Sequence, residues 1–266
     1  MKYKLGFIGA GNMAEAVAKA AINQGLVSAD KIIASDTNET RRELFADLGI
    51  NVTQDSDHVV TESRQIMLAV KPQVFPDVAK MLAKVDAQRQ VVISIMAGIT
   101  TAKIQELAGQ PLRIIRVMPN TPMMVMQGMA GVACGQCCQP GDDEFAMKLF
   151  GAAGKAVSVS ESDIDAITAI SGSGPAYIFY LAEAMQDAAD KMGLSEDGAV
   201  LAQQTILGAA LLLGQSQDSA GELRRKVTSP GGTTQAALEY MESKHVRESI
   251  TQGILRAQAR SIELGK

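Results

Sequence analysis

Through the first 160 residues, short apolar runs alternate with stretches in which apolar residues recur every three or four positions. The runs fall at 4–9, 31–35, 65–70, 91–95 and 113–117, and several are almost continuously apolar. That is the pattern of strands in a parallel sheet covered by helices on both faces. The intervening periodicity predicts helices over 12–24, 39–48 and 76–84. Repeated strand–helix–strand units joined by right-handed crossovers make a doubly wound α/β sheet. An apolar segment at 128–138 reads as a further strand and its exit, and the alternation fades after 155–159.

From Asp163 onward only helical periodicity remains. Ile164, Ile167 and Ile170 share one face, Ser171-Gly172-Ser173-Gly174-Pro175 interrupts it, and the pattern resumes over 177–191. Gly193 is the expected stop of that helix and Ser195 the expected cap of the next. The next, 197–213, is apolar around much of its circumference (Ala199, Ala202, Leu207, Ala209, Ala210, Leu212). In so small a domain this points to a partner chain lying against it, the alternative being a central buried helix. The chain therefore divides at about residue 160 into an α/β domain (1–160) and an all-helical one (161–266).

Composition narrows the choice. The 266 residues fit two domains, and 47% hydrophobic with 20% charged residues describes a folded chain. A formal charge of −4, 4% aromatics and no Trp argue against nucleic acid as a partner. The start carries no signal-peptide pattern, and no apolar run approaches the roughly 18 residues of a membrane span. A soluble, cytoplasmic protein is expected. Cys134, Cys137 and Cys138 lie together, but both histidines, His58 and His245, are distant in sequence, so no metal site emerges. Free, at least half-buried thiols in a reducing compartment are the simpler reading.

The chemistry concentrates at a few loops. Ile8 leads into Gly9-Ala10-Gly11-Asn12-Met13-Ala14, a G-x-G-x-x-A fingerprint that directly follows one predicted strand and opens a helix. Gly9 permits the tight turn, Gly11 admits a diphosphate to the backbone, and the helix start offers unpaired N–H groups. The second strand ends at Ser35-Asp36-Thr37-Asn38. Asp36 suits the ribose 2′-hydroxyl of NAD, whereas Ser35, Thr37 and Asn38 with Arg41 or Arg42 suit the 2′-phosphate of NADP. The residues leave both open, and the expected cofactor is NAD(P)H. Three more strand ends add Ala69-Val70-Lys71-Pro72, Ala97-Gly98 and Met118-Pro119-Asn120-Thr121-Pro122; Asn120, held between prolines, suits an amide set against a nicotinamide.

In the helical half, Ser229-Pro230-Gly231-Gly232-Thr233-Thr234 precedes a helix and reads as a cradle for a small carboxylate. Neither histidine sits at a motif, and no nucleophile–base set appears. Hydride transfer to a substrate that is already electrophilic, an imine in preference to a ketone, needs little proton machinery.

These motifs, in this order and over nearly the whole chain, resemble those of the pyrroline-5-carboxylate reductases. The stations are Gly6-Phe7-Ile8-Gly9-Ala10-Gly11-Asn12-Met13, Ala69-Val70-Lys71-Pro72, Met118–Pro122, Ser171-Gly172-Ser173-Gly174-Pro175-Ala176-Tyr177 and Ser229–Thr234. The resemblance implies reduction of the cyclic imine 1-pyrroline-5-carboxylate to L-proline, the last step of proline biosynthesis, by a Rossmann-type domain joined to a helical dimerisation domain. It implies a homodimer, and rings of such dimers. It places the substrate carboxylate at Ser229, Gly231, Gly232, Thr233 and Thr234, with Thr234 at the ring nitrogen as the catalytic residue. Asp36 departs from the neutral or basic residue of NADP-preferring members. Two rivals fit less well. A β-hydroxyacid dehydrogenase would need a lysine four residues beyond the glycine motif, where Ile178 stands, and a silent dinucleotide sensor has no use for the Gly231–Thr234 cradle.

Overall fold

The structure is a computed structural model and describes residues 1–265. Its elements run β1 (Tyr3–Ile8), α1 (Asn12–Asn23), β2 (Ile32–Ser35), α2 (Glu39–Asp47), β3 (Asn51–Thr53), α3 (Ser56–Glu62), β4 (Ser63–Leu68), α4 (Phe75–Ala79), β5 (Val91–Ser94), α5 (Thr101–Ala108), β6 (Ile114–Met118), β7 (Gly128–Cys134), α6 (Glu144–Gly151) and β8 (Gly154–Ser158). Helices follow: α7 (Ile164–Ile167), α8 (Gly174–Lys191), α9 (Gly198–Gln215), α10 (Ala220–Lys226), α11 (Thr233–Ser243) and α12 (Val246–Leu264). By contact the chain forms two compact units. One is Met1–Ser173 with the chain from Ala257 on, the other Gly174–Arg256.

In the first unit eight strands form one sheet in the order β3-β2-β1-β4-β5-β6-β7-β8. Every pairing is parallel except β6 with β7. The order reverses direction between β1 and β4, which is the Rossmann-type switch point. Neighbouring residues on one strand feed opposite cores: Met67, Ile93 and Ile115 pack on one face, Ile66, Val92 and Ile114 on the other. This two-sided burial explains the unbroken apolar runs. β3 was not legible because a three-residue edge strand, only partly buried, is too short for any periodicity. The helix expected over 76–84 is α-helical only to Ala79 and tightens to a 3₁₀ turn over Lys80–Lys84.

Several helices close their first turn with a side chain. Asn38 accepts from the Arg41 N–H for α2, Asp55 from Asp57 and His58 for α3, Thr100 from Lys103 for α5, and Ser219 from Glu222 for α10. Satisfying these orphan N–H groups is what such residues do at helix starts.

Residues 161–173 and the end of α12 are tied to the sheet by a buried charge. Arg116 on β6 is 3% exposed and pairs with Glu161 at 3.4 Å and Asp165 at 3.9 Å. Glu161 also accepts from the Thr101 N–H (2.7 Å) and hydroxyl (2.6 Å), and Asp165 accepts from Ser261 at 2.6 Å.

The second unit is helical throughout. α8 ends at Lys191, and Gly193, two residues on with φ +78°, is the left-handed stop the sequence predicted. Ser195 is not the cap of the next helix, which starts three residues later with Asp197 at its N-cap; Ser195 lies in the intervening turn. α8 and α9 approach closely because Gly198 has no side chain: a Cβ there would stand 2.7 Å from that of Ala189. Leu201, Leu207, Leu211 and Leu212 of α9 are about half exposed. Taken as a whole, α9 has the length and mean hydropathy (1.2) of a membrane span, with 11% of it buried. It is not an unbroken apolar run, since Gln203, Gln204, Thr205 and Gln215 interrupt it; only its average reaches that of a span.

Removing one partner of a buried ion pair leaves the other charge uncompensated, at about 3–5 kcal/mol. Glu161→Ala is expected to destabilise the folded chain by about 3 kcal/mol, the lower end because Asp165 stays with Arg116. Urea unfolding measures it, and a loss under about 1 kcal/mol would contradict a structural role for this cluster.

Candidate functional site

β1 delivers the chain to the sheet's switch point, and the turn there needs glycine at two positions for different reasons. Gly9 has φ +96°, and a Cβ on it would sit 2.8 Å from the Ala69 carbonyl oxygen. Gly11 has ordinary extended geometry (φ −70°, ψ 176°), and a Cβ would meet nothing within 4 Å. Its consequence is different: as N-cap of α1 it has no side chain to close the first turn. The first helical bond runs from the Glu15 N–H to the Gly11 carbonyl (2.9 Å), so the N–H groups of Asn12, Met13 and Ala14 have no partner within the helix. They border a cleft of about 370 Å³ lined also by Ala69, Val70 and Lys71 after β4, Ile95 after β5, and Met118–Thr121 after β6. Open space at Gly11, convergent N–H groups and the positive end of a helix dipole fit the diphosphate of a dinucleotide.

The loop is held from behind. The Ala10 N–H donates to Asp36 Oδ2 (2.7 Å), and the Ala10 carbonyl accepts from Arg41 Nε (2.5 Å). Asp36 Oδ1 accepts from the Asn38 N–H (2.9 Å). Arg41 also reaches Glu15 Oε2 at 2.8 Å; hydrogen bonds from Lys19 and then Arg41 hold the Glu15 carboxyl below its ordinary range. Arg42 donates to the carbonyls of Asp36 (2.8 Å) and Thr37 (3.0 Å). Ser35 is buried, its hydroxyl bonded to the Phe7 carbonyl and to Ser56.

Of the residues singled out for the cofactor, the cleft gathers Gly11, Asn12, Met13, Ala69, Val70, Lys71 and Asn120. Ile8, Gly9 and Ala10 support it from within, as buried strand end and turn. Pro72 opens a 3₁₀ turn capped by Lys71. Ala97 is exposed, while Gly98 (φ +76°) packs against Leu264. Asn120 lines the cleft with its amide engaged: Nδ2 donates to the Ser171 carbonyl and hydroxyl (both 3.2 Å) and Oδ1 accepts from the Met129 N–H (2.8 Å). Its partner Ser171 lies in a π-helical turn, Thr168–Gly172, whose Gly172 closes one side of the cleft against Met118. The sequence marks this Ser-Gly-Ser-Gly stretch as a helix bend or close packing point and not as part of a binding site. Two close glycines beside a helix were the signal that a backbone approaches something there.

A larger hollow of about 720 Å³ lies among Lys2, Lys4, Lys31, Arg64, Arg89 and Arg113, beside the starts of the strands. No motif residue lines it, and ligands of such sheets bind at the opposite, carboxyl ends.

In the helical unit, Gly231 adopts φ +71° and Gly232 caps α11 in nearly the geometry of Gly11 (φ −85°, ψ 173°), again without a side-chain bond. The Gly232 N–H is taken by the Ser229 carbonyl (3.0 Å), and α11 begins with the Ala236 N–H on Gly232 (3.2 Å). The N–H groups of Thr233, Thr234 and Gln235 thus have no partner within the helix. Thr234 is half-buried, while Ser229, Gly231 and Thr233 are exposed. The arrangement can take a carboxylate on main-chain N–H groups with a hydroxyl beside it.

The cysteines are free; Cys137 and Cys138 are half-buried as expected, but Cys134, the last residue of β7, is exposed. Burial, then Cys134, pushes the Cys138 thiol up to about 12, and burial raises Cys134 as well. Among the described residues no group of three His, Cys, Asp or Glu side chains is placed to hold a metal. His58 packs edge-on against Tyr3, and His245 is exposed at a helix turn.

The model of the pyrroline-5-carboxylate reductase dimerisation family matches residues 161–264. That of the coenzyme F420-dependent NADP oxidoreductases matches residues 4–98. The pyrroline-5-carboxylate reductase of Pisum sativum is 40% identical, over 98% of this chain and 96% of its own. This chain belongs to the pyrroline-5-carboxylate reductase family. The solved structure of the family member from Coxiella burnetii is 35% identical, with a TM-score of 0.91 over the whole of both chains. The Plasmodium falciparum structure, solved with NADP bound, is 27% identical with a TM-score of 0.86 over the whole of both chains.

Proposed function

We propose that the protein reduces 1-pyrroline-5-carboxylate to L-proline with a reduced nicotinamide dinucleotide. The observation that carries this is one device used twice, a glycine-capped helix start in each unit, in a chain that matches such reductases end to end. The α1 start, with Gly9, Ala10, Gly11, Asn12 and Met13, holds the diphosphate, and Ala69, Val70, Lys71 and Asn120 border the rest of the cofactor. When bound, the reduced nicotinamide supplies the hydride. The α11 start fixes the substrate carboxylate on its open N–H groups, and Ser229, Gly231, Gly232 and Thr233 shape the loop and first turn that present them.

Reduction adds a hydride to the C=N carbon and a proton to its nitrogen. Thr234, beside the carboxylate-binding N–H groups, orients that nitrogen and relays a solvent proton to it, its hydroxyl taking up one proton as it gives another so that no alkoxide remains. An imine is already polarised, so positioning and fixed N–H dipoles supply most of the acceleration.

NADH is the favoured cofactor. The Asp36 carboxylate is fixed by the Ala10 and Asn38 N–H groups at the end of β2, and each oxygen keeps a lone pair for a ribose hydroxyl. A 2′-phosphate would meet that charge, while Arg41 and Arg42 are engaged within the protein. The half-exposed leucines of α9, within the dimerisation match, are the face a second copy covers, giving a homodimer. Three free cysteines suit the reducing cytoplasm.

The direct test is NADH oxidation coupled to 1-pyrroline-5-carboxylate. Stoichiometric proline supports the reading, and NADH binding with no proline at any substrate concentration refutes it. Thr234→Ala is expected to lower kcat about a hundredfold with NADH affinity unchanged. Parallel loss of both, by steady-state kinetics and NADH titration, would remove Thr234 from the chemistry. Asp36→Ser is expected to shift the ratio of kcat/KM for NADPH over NADH upward about tenfold, one charge contact's worth; a constant ratio would show that Asp36 does not select.

A further inference from the structure

The loop before α11 has one N–H that the cradle does not use, and a side chain of the same helix consumes it. The Gly231 N–H donates to Gln235 Oε1 at 2.7 Å. The other end of that amide donates from Nε2 to Glu239 Oε1, also at 2.7 Å. A carboxylate only accepts, so Glu239 forces the amide NH₂ toward itself and the amide oxygen toward Gly231. Positions 231, 235 and 239 are four apart, and 235 and 239 share one face of α11. Gln235 and Glu239 also line a hollow of about 410 Å³ with Arg224 and Thr228.

We infer that Gln235, oriented by Glu239, is a positioning residue that sets where the substrate carboxylate sits. Gly231 is held in a left-handed conformation, and a glycine there has many others to visit. Occupying its N–H does two things. It fixes the Pro230–Gly231 peptide, and it removes a competing donor, so the anion is left with the Thr233, Thr234 and Gln235 N–H groups at the helix axis. That places the ring nitrogen within reach of Thr234 and not of the loop. Glu239 keeps the amide from turning over; reversed, its NH₂ would face the Gly231 N–H, and two donors would meet. Glu239 itself stands one turn further along α11 than Gln235.

This inference rests on the assignment of residues 229–234 to the substrate, and the experiment separates the two. Kinetics of Gln235→Leu are measured beside Thr234→Ala in the full-length protein, with folding checked by thermal melting. Gln235→Leu is expected to raise KM for the imine about tenfold, with kcat within threefold and KM for NADH within twofold, because carboxylate binding is shared by ground and transition states. Gln235→Glu alone sets two carboxylates side by side and is expected to behave similarly. The exchange Gln235→Glu with Glu239→Gln keeps an acceptor at 235 for the Gly231 N–H and re-forms the 235–239 hydrogen bond with its direction reversed, and is expected to recover KM to within threefold of the parent. An unchanged imine KM in Gln235→Leu, an equal rise in both KM values, or failure of the exchange to rescue would each overturn the positioning role. If Thr234→Ala also leaves imine kinetics untouched, the substrate assignment of the loop falls with it.

Discussion

A helix whose first turn is left open presents three N–H groups and a partial positive charge to whatever can reach them. Most chains spend that potential on themselves. Here α2, α3, α5 and α10 do so through Asn38, Asp55, Thr100 and Ser219. α1 and α11 begin on Gly11 and Gly232, in closely similar extended geometry and with no side chain to fold back. Both ligands of the proposed reaction carry an anionic group, a diphosphate in one case and a carboxylate in the other. The open caps are the physical feature on which the functional account depends.

What surrounds each cap keeps it open and aimed. At α1 the parallel sheet brings β1 to its switch point, and the β2–α2 loop grips both polar atoms of Ala10 through Asp36 and Arg41. In the proposed reading, cofactor choice and loop rigidity therefore meet in one carboxylate. At α11, in a unit built of helices alone, the helix supplies its own brace through Gln235 and Glu239. The two solutions differ because a strand end is already fixed by its neighbours, while a loop between helices is not.

The sheet was legible because burial on both faces writes long apolar runs, and the open caps because glycine pairs at a strand–helix or loop–helix boundary have few other uses. Legibility failed where the cause lay outside local pattern. β3 is too short to show a period. Ser195 has the right chemistry for a cap, but the turn continues to Asp197. Arg41 and Arg42 looked free to meet a phosphate, and only the folded chain shows them bonded to carbonyls and Glu15. Asn120 carries the expected amide at the cleft, yet its polar atoms serve Ser171 and Met129. Sequence reports which groups are present; which are already engaged depends on residues tens of positions away.

The most direct measurement on the open cap is the substitution Gly11→Ser. Backbone geometry there suits any residue, and a Cβ meets nothing within 4 Å, so serine is free to close the first turn as it does elsewhere, changing stability by only a few tenths of a kcal/mol. Thermal melting of the ligand-free protein should show a melting temperature equal to or above the parent's, while titration with NADH should show a dissociation constant at least tenfold higher. A variant that melts normally and binds NADH as tightly as the parent would contradict the account, because the diphosphate would then not depend on the N–H groups that glycine leaves bare.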